Sequence, residues 1–193
     1  MADFALILFS TLLINNLVLT QMLGVTPFVA GSRKLETAIG TGLATAFALT
    51  LSSVCGFVID EYLLVPLNLG YLRLVVLMML IVSLVQVTAA VVRRSKAEIE
   101  ALRGDLVLLI TVNCAVLGVA LLGVERERGF IETVVFGFGA GLGFALALAL
   151  FASVRVRVDA ADVPEAFRGA PIALITAGLA SLAFLGFAGV LRG

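Results

Sequence analysis

Two short stretches hold the side chains that could do chemistry in an otherwise apolar chain. The first, "LINNLVLTQMLGVTPF", carries Asn15, Asn16, Thr20, Gln21 and Thr26; the second, "TVNCAVLG", carries Thr111, Asn113 and Cys114. An asparagine amide competes with the backbone for hydrogen bonds, so inside an apolar run it interrupts a helix more readily than it extends one. Gly24 and Pro27 weaken the first stretch further, which predicts a break between about residues 15 and 27. Asn113 and Gly118 repeat the theme in the second. A thiol such as Cys114 can ligate a soft metal or simply pack as a small hydrophobe. Cys55, in "LSSVCGFVID", reads as the latter. Two cysteines on separate runs, outside any CxxC spacing, make no metal site within one chain, so a cofactor would need ligands from another subunit.

The elements that must position these residues are set by composition. The chain has 193 residues, 62% hydrophobic and only 13% charged, with formal net charge zero. A soluble domain carries about a quarter charged residues, so this chain lacks the polar surface to cover itself with. A bilayer core of roughly 30 Å takes about 20 apolar residues per helix. Six such runs occur: Phe4 to Leu23, Thr37 to Ile59, Leu72 to Val92, Leu106 to Gly123, Ile131 to Val154 and Pro171 to Leu191. The connections are short, and alternating β-barrel segments are absent. The expected fold is an all-α integral membrane protein, a single membrane domain over residues 1–193 with six transmembrane helices. The first run lacks a basic leader and a small-residue cleavage site, and is expected to stay in the mature protein.

Basic residues orient the chain. With the N-terminus outside, the inner loops collect Arg33, Lys34, Arg93, Arg94, Lys96, Arg103, Arg155, Arg157 and Arg168, while Arg73, Arg126, Arg128 and Arg192 stay outside. The excess of inner charge predicts both termini on the periplasmic or exterior side. The absence of histidine excludes histidine-ligated haem, histidine zinc sites and histidine-assisted nucleophiles. Without strands there is no phosphate-cradling glycine loop, and nothing suggests nucleic acid as a partner.

The chain also resembles itself. "LETAIGTGLATAFALTL" (Leu35 to Leu51) matches "IETVVFGFGAGLGFALALAL" (Ile131 to Leu150) with one insertion: Glu36 pairs with Glu132, Gly40 with Gly137, Gly42 with Gly139, and "FAL" with "FAL". An asparagine, Asn16 or Asn113, precedes each copy. Three spans per copy, over about residues 4–92 and 105–191, would insert the second copy upside down. The fold expected is thus two inverted three-helix repeats with broken first and fourth helices. Transporters of that design keep their sites near the midplane, where irregular backbone lines a cavity. Plainer readings stand beside this one. The glycines suit close helix packing, Glu36 and Glu132 suit helix starts, and Gln86 suits an interhelical hydrogen bond.

The segments "LINNLVLTQMLG", "SRKLETAIGTGLATAFALTL", "TVNCAVLGVALL", "FGFGAGLGFALAL" and "AADVPEAFRGAPIALITAGLASLAFLGF" together resemble the A-type membrane subunit of Rnf complexes, essentially from end to end. The E-type subunit of the sodium-translocating NADH:quinone reductase is similar too, and "DVPEAFRGAPIALITAG" favours the Rnf side. The resemblance implies a six-helix protein paired with a homologous Rnf E-type subunit of opposite topology, together with the B, C, D and G subunits. Such complexes pass electrons between ferredoxin and NAD through flavins and iron-sulfur clusters on partner subunits, and couple this to Na+ or H+ translocation. It further implies a 2Fe-2S cluster shared with the partner subunit, two cysteines coming from each chain. Cys114 stands at one of those positions. The other belongs to a motif LG-x-C-P-F, where this chain reads "LGVTPF" and has Thr26. A threonine hydroxyl is a hard, weakly acidic donor, poorly suited to iron-sulfur ligation. Asn16 and Asn113 are then expected to shape the breaks and to hydrogen-bond toward cluster sulfurs. The alternative is a redox-inactive inverted-repeat transporter or scaffold.

Overall fold

A computed structural model describes residues 2–32, 35–94, 113–125 and 129–188. In chain order it contains α1 (Ala2–Phe9), a π-helical turn (Ser10–Ile14), α2 (Leu17–Gln21), α3 (Val25–Gly31) and α4 (Leu35–Ile59). A π-helical turn (Asp60–Leu64), a 3-10 turn (Gly70–Leu72), α5 (Arg73–Arg94), α6 (Cys114–Glu125) and α7 (Phe130–Asp159) follow, then a 3-10 turn (Glu165–Phe167) and α8 (Ala170–Ala188). No strand occurs among the described residues.

Three helices are long and apolar enough to cross a membrane, Leu35–Leu64, Gly70–Val87 and Phe130–Asp159, and Cys114–Val124 and Ala170–Gly186 are shorter apolar helices. Of the six runs expected, the second, third and fifth are thus full-length spans. The sixth is a shorter helix, and the first is divided into pieces. The fourth begins, within the described residues, only at Asn113, so Thr111 lies outside them.

The centre of the molecule is the pair α4 and α7. Gly42 faces Ala145, Ala46 faces Gly141, Leu49 and Ser53 face Gly137, and Ser53 Oγ donates to Thr133 O at 2.9 Å. Rising numbers on one helix meet falling numbers on the other, so the two run antiparallel. Their backbones touch: a Cβ added to Gly141 would lie 2.8 Å from Ala46 Cα, and one added to Gly42 would lie 3.0 Å from Ala145 Cα. Between helices in lipid, van der Waals packing replaces the hydrophobic drive, and small residues let it act at full strength. The interior is otherwise aliphatic and aromatic, with Leu49, Leu77, Val116, Val119, Phe144 and Leu148 almost wholly buried. Leu43, Phe47, Val75, Met79 and Leu182 face outward, as a surface bathed in hydrocarbon requires.

The interior also encloses Thr41, Thr45, Ser52, Ser53 and Thr133. Ser52 Oγ donates to Val116 O at 3.4 Å. Glu36 and Glu132 lie in the first turns of α4 and α7. Gln86, expected to bond to another helix, faces outward. Cys55 is half-buried on α4. At one end of α4 the buried Asp60 receives a two-pronged contact from Arg73, Nε at 2.7 Å and Nη2 at 3.1 Å.

Candidate redox site at the helix interruptions

The first apolar run is interrupted twice rather than once. Its opening helix slackens into a π turn closed by the Asn15 N–H donating to Ser10 O at 2.6 Å. Asn16 then turns extended, with φ −63° and ψ 117°, and its Oδ1 accepts the Val18 N–H at 3.1 Å, which starts α2. This is ordinary N-capping by asparagine, which satisfies one of the orphan donors at a helix start. Five residues later α2 ends at Met22, which is left-handed with φ 55°, and Gly24 follows with φ 80°. α3 starts at Val25.

Asn113 performs the same local task for α6. Its Oδ1 accepts the Ala115 N–H at 3.0 Å, two residues ahead, as Asn16 does for Val18. The amide nitrogens differ. Asn16 Nδ2 donates to Leu12 O at 3.1 Å and, across the core, to Gly143 O at 2.8 Å. Asn113 Nδ2 is buried without a hydrogen-bond partner. Expected near sulfur, Asn16 instead bonds to the backbone of α7.

The two stretches meet at Gly24. Its N–H donates to Cys114 Sγ at 3.0 Å, joining residues 90 apart in sequence. A Cβ on Gly24 would lie 2.8 Å from Asn113 Oδ1 and 3.1 Å from both Ala115 Cβ and the Phe144 ring. Glycine is therefore required twice here, for its left-handed backbone and for space. Cys114, the first residue of α6, is exposed, and so is Thr26, the second residue of α3. Cys114 is thus held against Gly24, and Thr26 stands two residues further along the chain. Cys55 does not join them: its neighbours Ser53 and Gly56 pack on Thr133, and on Leu77 and Ala120.

Among the described residues, no three His, Cys, Asp or Glu side chains come together to hold a metal ion. The local donor set is one thiol and one aliphatic hydroxyl. Thr26 also borders a cavity of about 620 Å³ between α3, α7 and α8, whose walls include Arg155 and Asp159.

A family model described as "Rnf-Nqr subunit, membrane protein" matches residues 4–191. The chain belongs to the Rnf-Nqr family. This Rnf-Nqr protein is similar to proteins named as the A-type subunits of ion-translocating oxidoreductase complexes. It is 54% identical to the one from Thioalkalivibrio sulfidiphilus, over 192 residues that cover both chains completely. Those from Aeromonas hydrophila and Vibrio vulnificus are 51% and 50% identical, again over the full length of both chains. The names bear out the A-type resemblance read from the motifs.

Sequence reasoning singled out Cys114, Asn113, Asn16 and Thr26 in this Rnf-Nqr protein. It noted Gly24 only as a helix breaker, although that residue supplies the hydrogen bond to the sulfur. In sequence Gly143 reads only as one of the packing glycines, and Arg155 as one loop charge among several. A second left-handed residue, Met22, carries no signal in its type.

Proposed function

We propose that this chain is the A-type membrane subunit of an Rnf ion-translocating ferredoxin:NAD oxidoreductase, a non-autonomous part of a bacterial inner-membrane complex. The hydrogen bond from the Gly24 N–H to Cys114 Sγ carries the reading, because it holds a thiol where the break after α2 meets the start of α6. Full-length relatives named as A-type members of ion-translocating oxidoreductase complexes support the complex and its chemistry. The antiparallel pairing of α4 with α7, and the same cap made by Asn16 and Asn113, support an inverted repeat. Both termini are then periplasmic, and the partner across the pseudo-twofold axis is the homologous E-type subunit, with the B, C, D and G subunits completing the complex.

The cofactor proposed is a 2Fe-2S cluster shared with that partner. The residues present fit it through one thiolate, Cys114, and not through two. Thr26 sits where a second thiolate would be needed and offers only a hard hydroxyl. Bound there, the cluster supplies a one-electron relay. The chain's own contribution is to present Cys114 Sγ at the start of α6 and to hold it with a backbone N–H, a contact of the kind that tunes iron-thiolate potentials. Asn113 fixes the helix start behind it. Ion movement, Na+ or H+, is coupled to electron flow by the complex as a whole.

Inverted membrane vesicles carrying the complex test this reading. Replacing Cys114 with serine is expected to reduce ferredoxin-dependent NAD reduction at least tenfold while all subunits remain assembled. Full activity in an assembled Cys114→Ser complex would reject the redox role and leave a scaffold or transporter. Solute or ion flux by this chain alone, without partner or electron donor, would favour the transporter.

A further inference from the structure

α7 has 30 residues, which at 1.5 Å each is roughly 45 Å, longer than a hydrocarbon core of about 30 Å. Its last turn, with Arg155 and Asp159, therefore reaches headgroup level. That turn forms one wall of the 620 Å³ cavity, and the other walls are α3, through Val25, Thr26 and Val29, and the start of α8, through Ala170 and Leu174.

The two charges in this cavity pair with each other only at long range. Arg155 Nη1 donates to Val29 O at 2.6 Å and to Ser32 Oγ at 2.9 Å, which ties the end of α3 to α7. Its Nε is buried and has no hydrogen-bond partner. Asp159 Oδ2 lies 3.9 Å from that Nε, too long for a hydrogen bond, and the Asp159 side chain is 54% exposed against 11% for Arg155. A recessed cation and an outer anion thus stand side by side at the mouth of an apolar-walled groove. The N-terminal end of α8 adds partial positive charge to the inner side.

We infer that this groove binds a zwitterionic phospholipid with a primary amine, of the phosphatidylethanolamine class. The phosphate meets the Arg155 guanidinium, the ammonium meets Asp159, and the glycerol and acyl portion lies along Val25, Val29 and Leu174. Basic pockets between membrane helices bind the phosphates of lipid headgroups, and Asp159 adds a partner for an ammonium. A purely anionic lipid would leave Asp159 facing a phosphate unpaired, so the carboxylate makes the site choose. The inference rests on the membrane setting and not on the redox role.

The test uses the complex recovered from nanodiscs of equal phosphatidylethanolamine and phosphatidylglycerol content, with retained lipid identified by native mass spectrometry. Wild type is expected to retain phosphatidylethanolamine preferentially. Leu174→Trp, which fills the groove without touching the Arg155 contacts, should lose that lipid while ferredoxin-dependent activity in detergent persists. Asp159→Asn, at an exposed position with no fold to disturb, should keep a lipid but lose about fivefold in headgroup preference, the worth of one partly exposed ion pair. Unchanged lipid retention in Leu174→Trp, or unchanged preference in Asp159→Asn, overturns the inference. So does displacement of the lipid by millimolar inorganic phosphate, or a helix of another protein of the complex filling the groove in a map of the assembly.

Discussion

Two asparagines open two helices in the same way and are held very differently. Asn16 and Asn113 each accept the N–H two residues ahead, at 3.1 and 3.0 Å. Asn16 goes on to bind Leu12 O and Gly143 O, and is 1% exposed. Asn113 is 4% exposed, with its amide nitrogen unpaired, and the residue after it is the exposed Cys114. One helix start is locked into the core, while the other presents a sulfur atom. Shared capping chemistry starts both helices, and the surroundings anchor one and leave the residue after the other exposed. Backbone that leaves helical form at membrane depth has to be satisfied by protein, and here the first stretch supplies that support to the second through Gly24.

The sharpest way to break this comparison is at the shared glycine. Gly24→Val combines a left-handed φ of 80° with a Cβ 2.8 Å from Asn113 Oδ1. A loss of about 3 kcal/mol or more is expected, read as a large drop in the Tm of the purified complex. By contrast, a Cβ on Gly118 meets only the end of the Leu23 side chain, so Gly118→Ala should cost under about 1 kcal/mol. Asn16→Ala comes next. It removes a cap and the two Nδ2 bonds to Leu12 O and Gly143 O, about 2–4 kcal/mol together. Asn113→Ala removes the cap alone, about 1 kcal/mol, because its Nδ2 has no bond to lose. Equal destabilisation by the two asparagine substitutions in thermal scans would contradict that contrast. Thr26→Cys is the mildest to the fold: Thr26 is exposed and a change within about 0.5 kcal/mol is expected. Its effect should fall on the redox spectrum instead.

The apolar runs made the helices legible, because hydrocarbon thickness fixes how long a spanning segment must be. Segment ends for α4, α5 and α7 follow the runs closely. The first run was legible as interrupted, since Asn15, Asn16 and Gly24 all disfavour continuous helix. The left-handed turn at Met22 was not, because a methionine gives no sign of a positive φ. The candidate site was half legible. Thiol and amide stood out by being polar in an apolar run, and so did Thr26 against the motif. The hydrogen bond from the Gly24 N–H to the thiol spans 90 residues, and the latch from Arg155 to Val29 spans 126, so neither leaves a local trace. Arg155 looked like any inner-loop cation because the positive-inside count weighs charge and ignores partners.

The central claim is that Cys114, held by Gly24, is the chain's thiolate to a cluster whose opposing position is Thr26. Electron paramagnetic resonance of the reduced complex, with iron and acid-labile sulfide counted on the same sample, tests it most directly. The account predicts that Cys114→Ser removes one cluster's signal with its iron and sulfide, and that Thr26→Cys keeps the cluster but shifts its spectrum toward all-thiolate ligation. An unchanged spectrum and unchanged iron and sulfide in Cys114→Ser would contradict it.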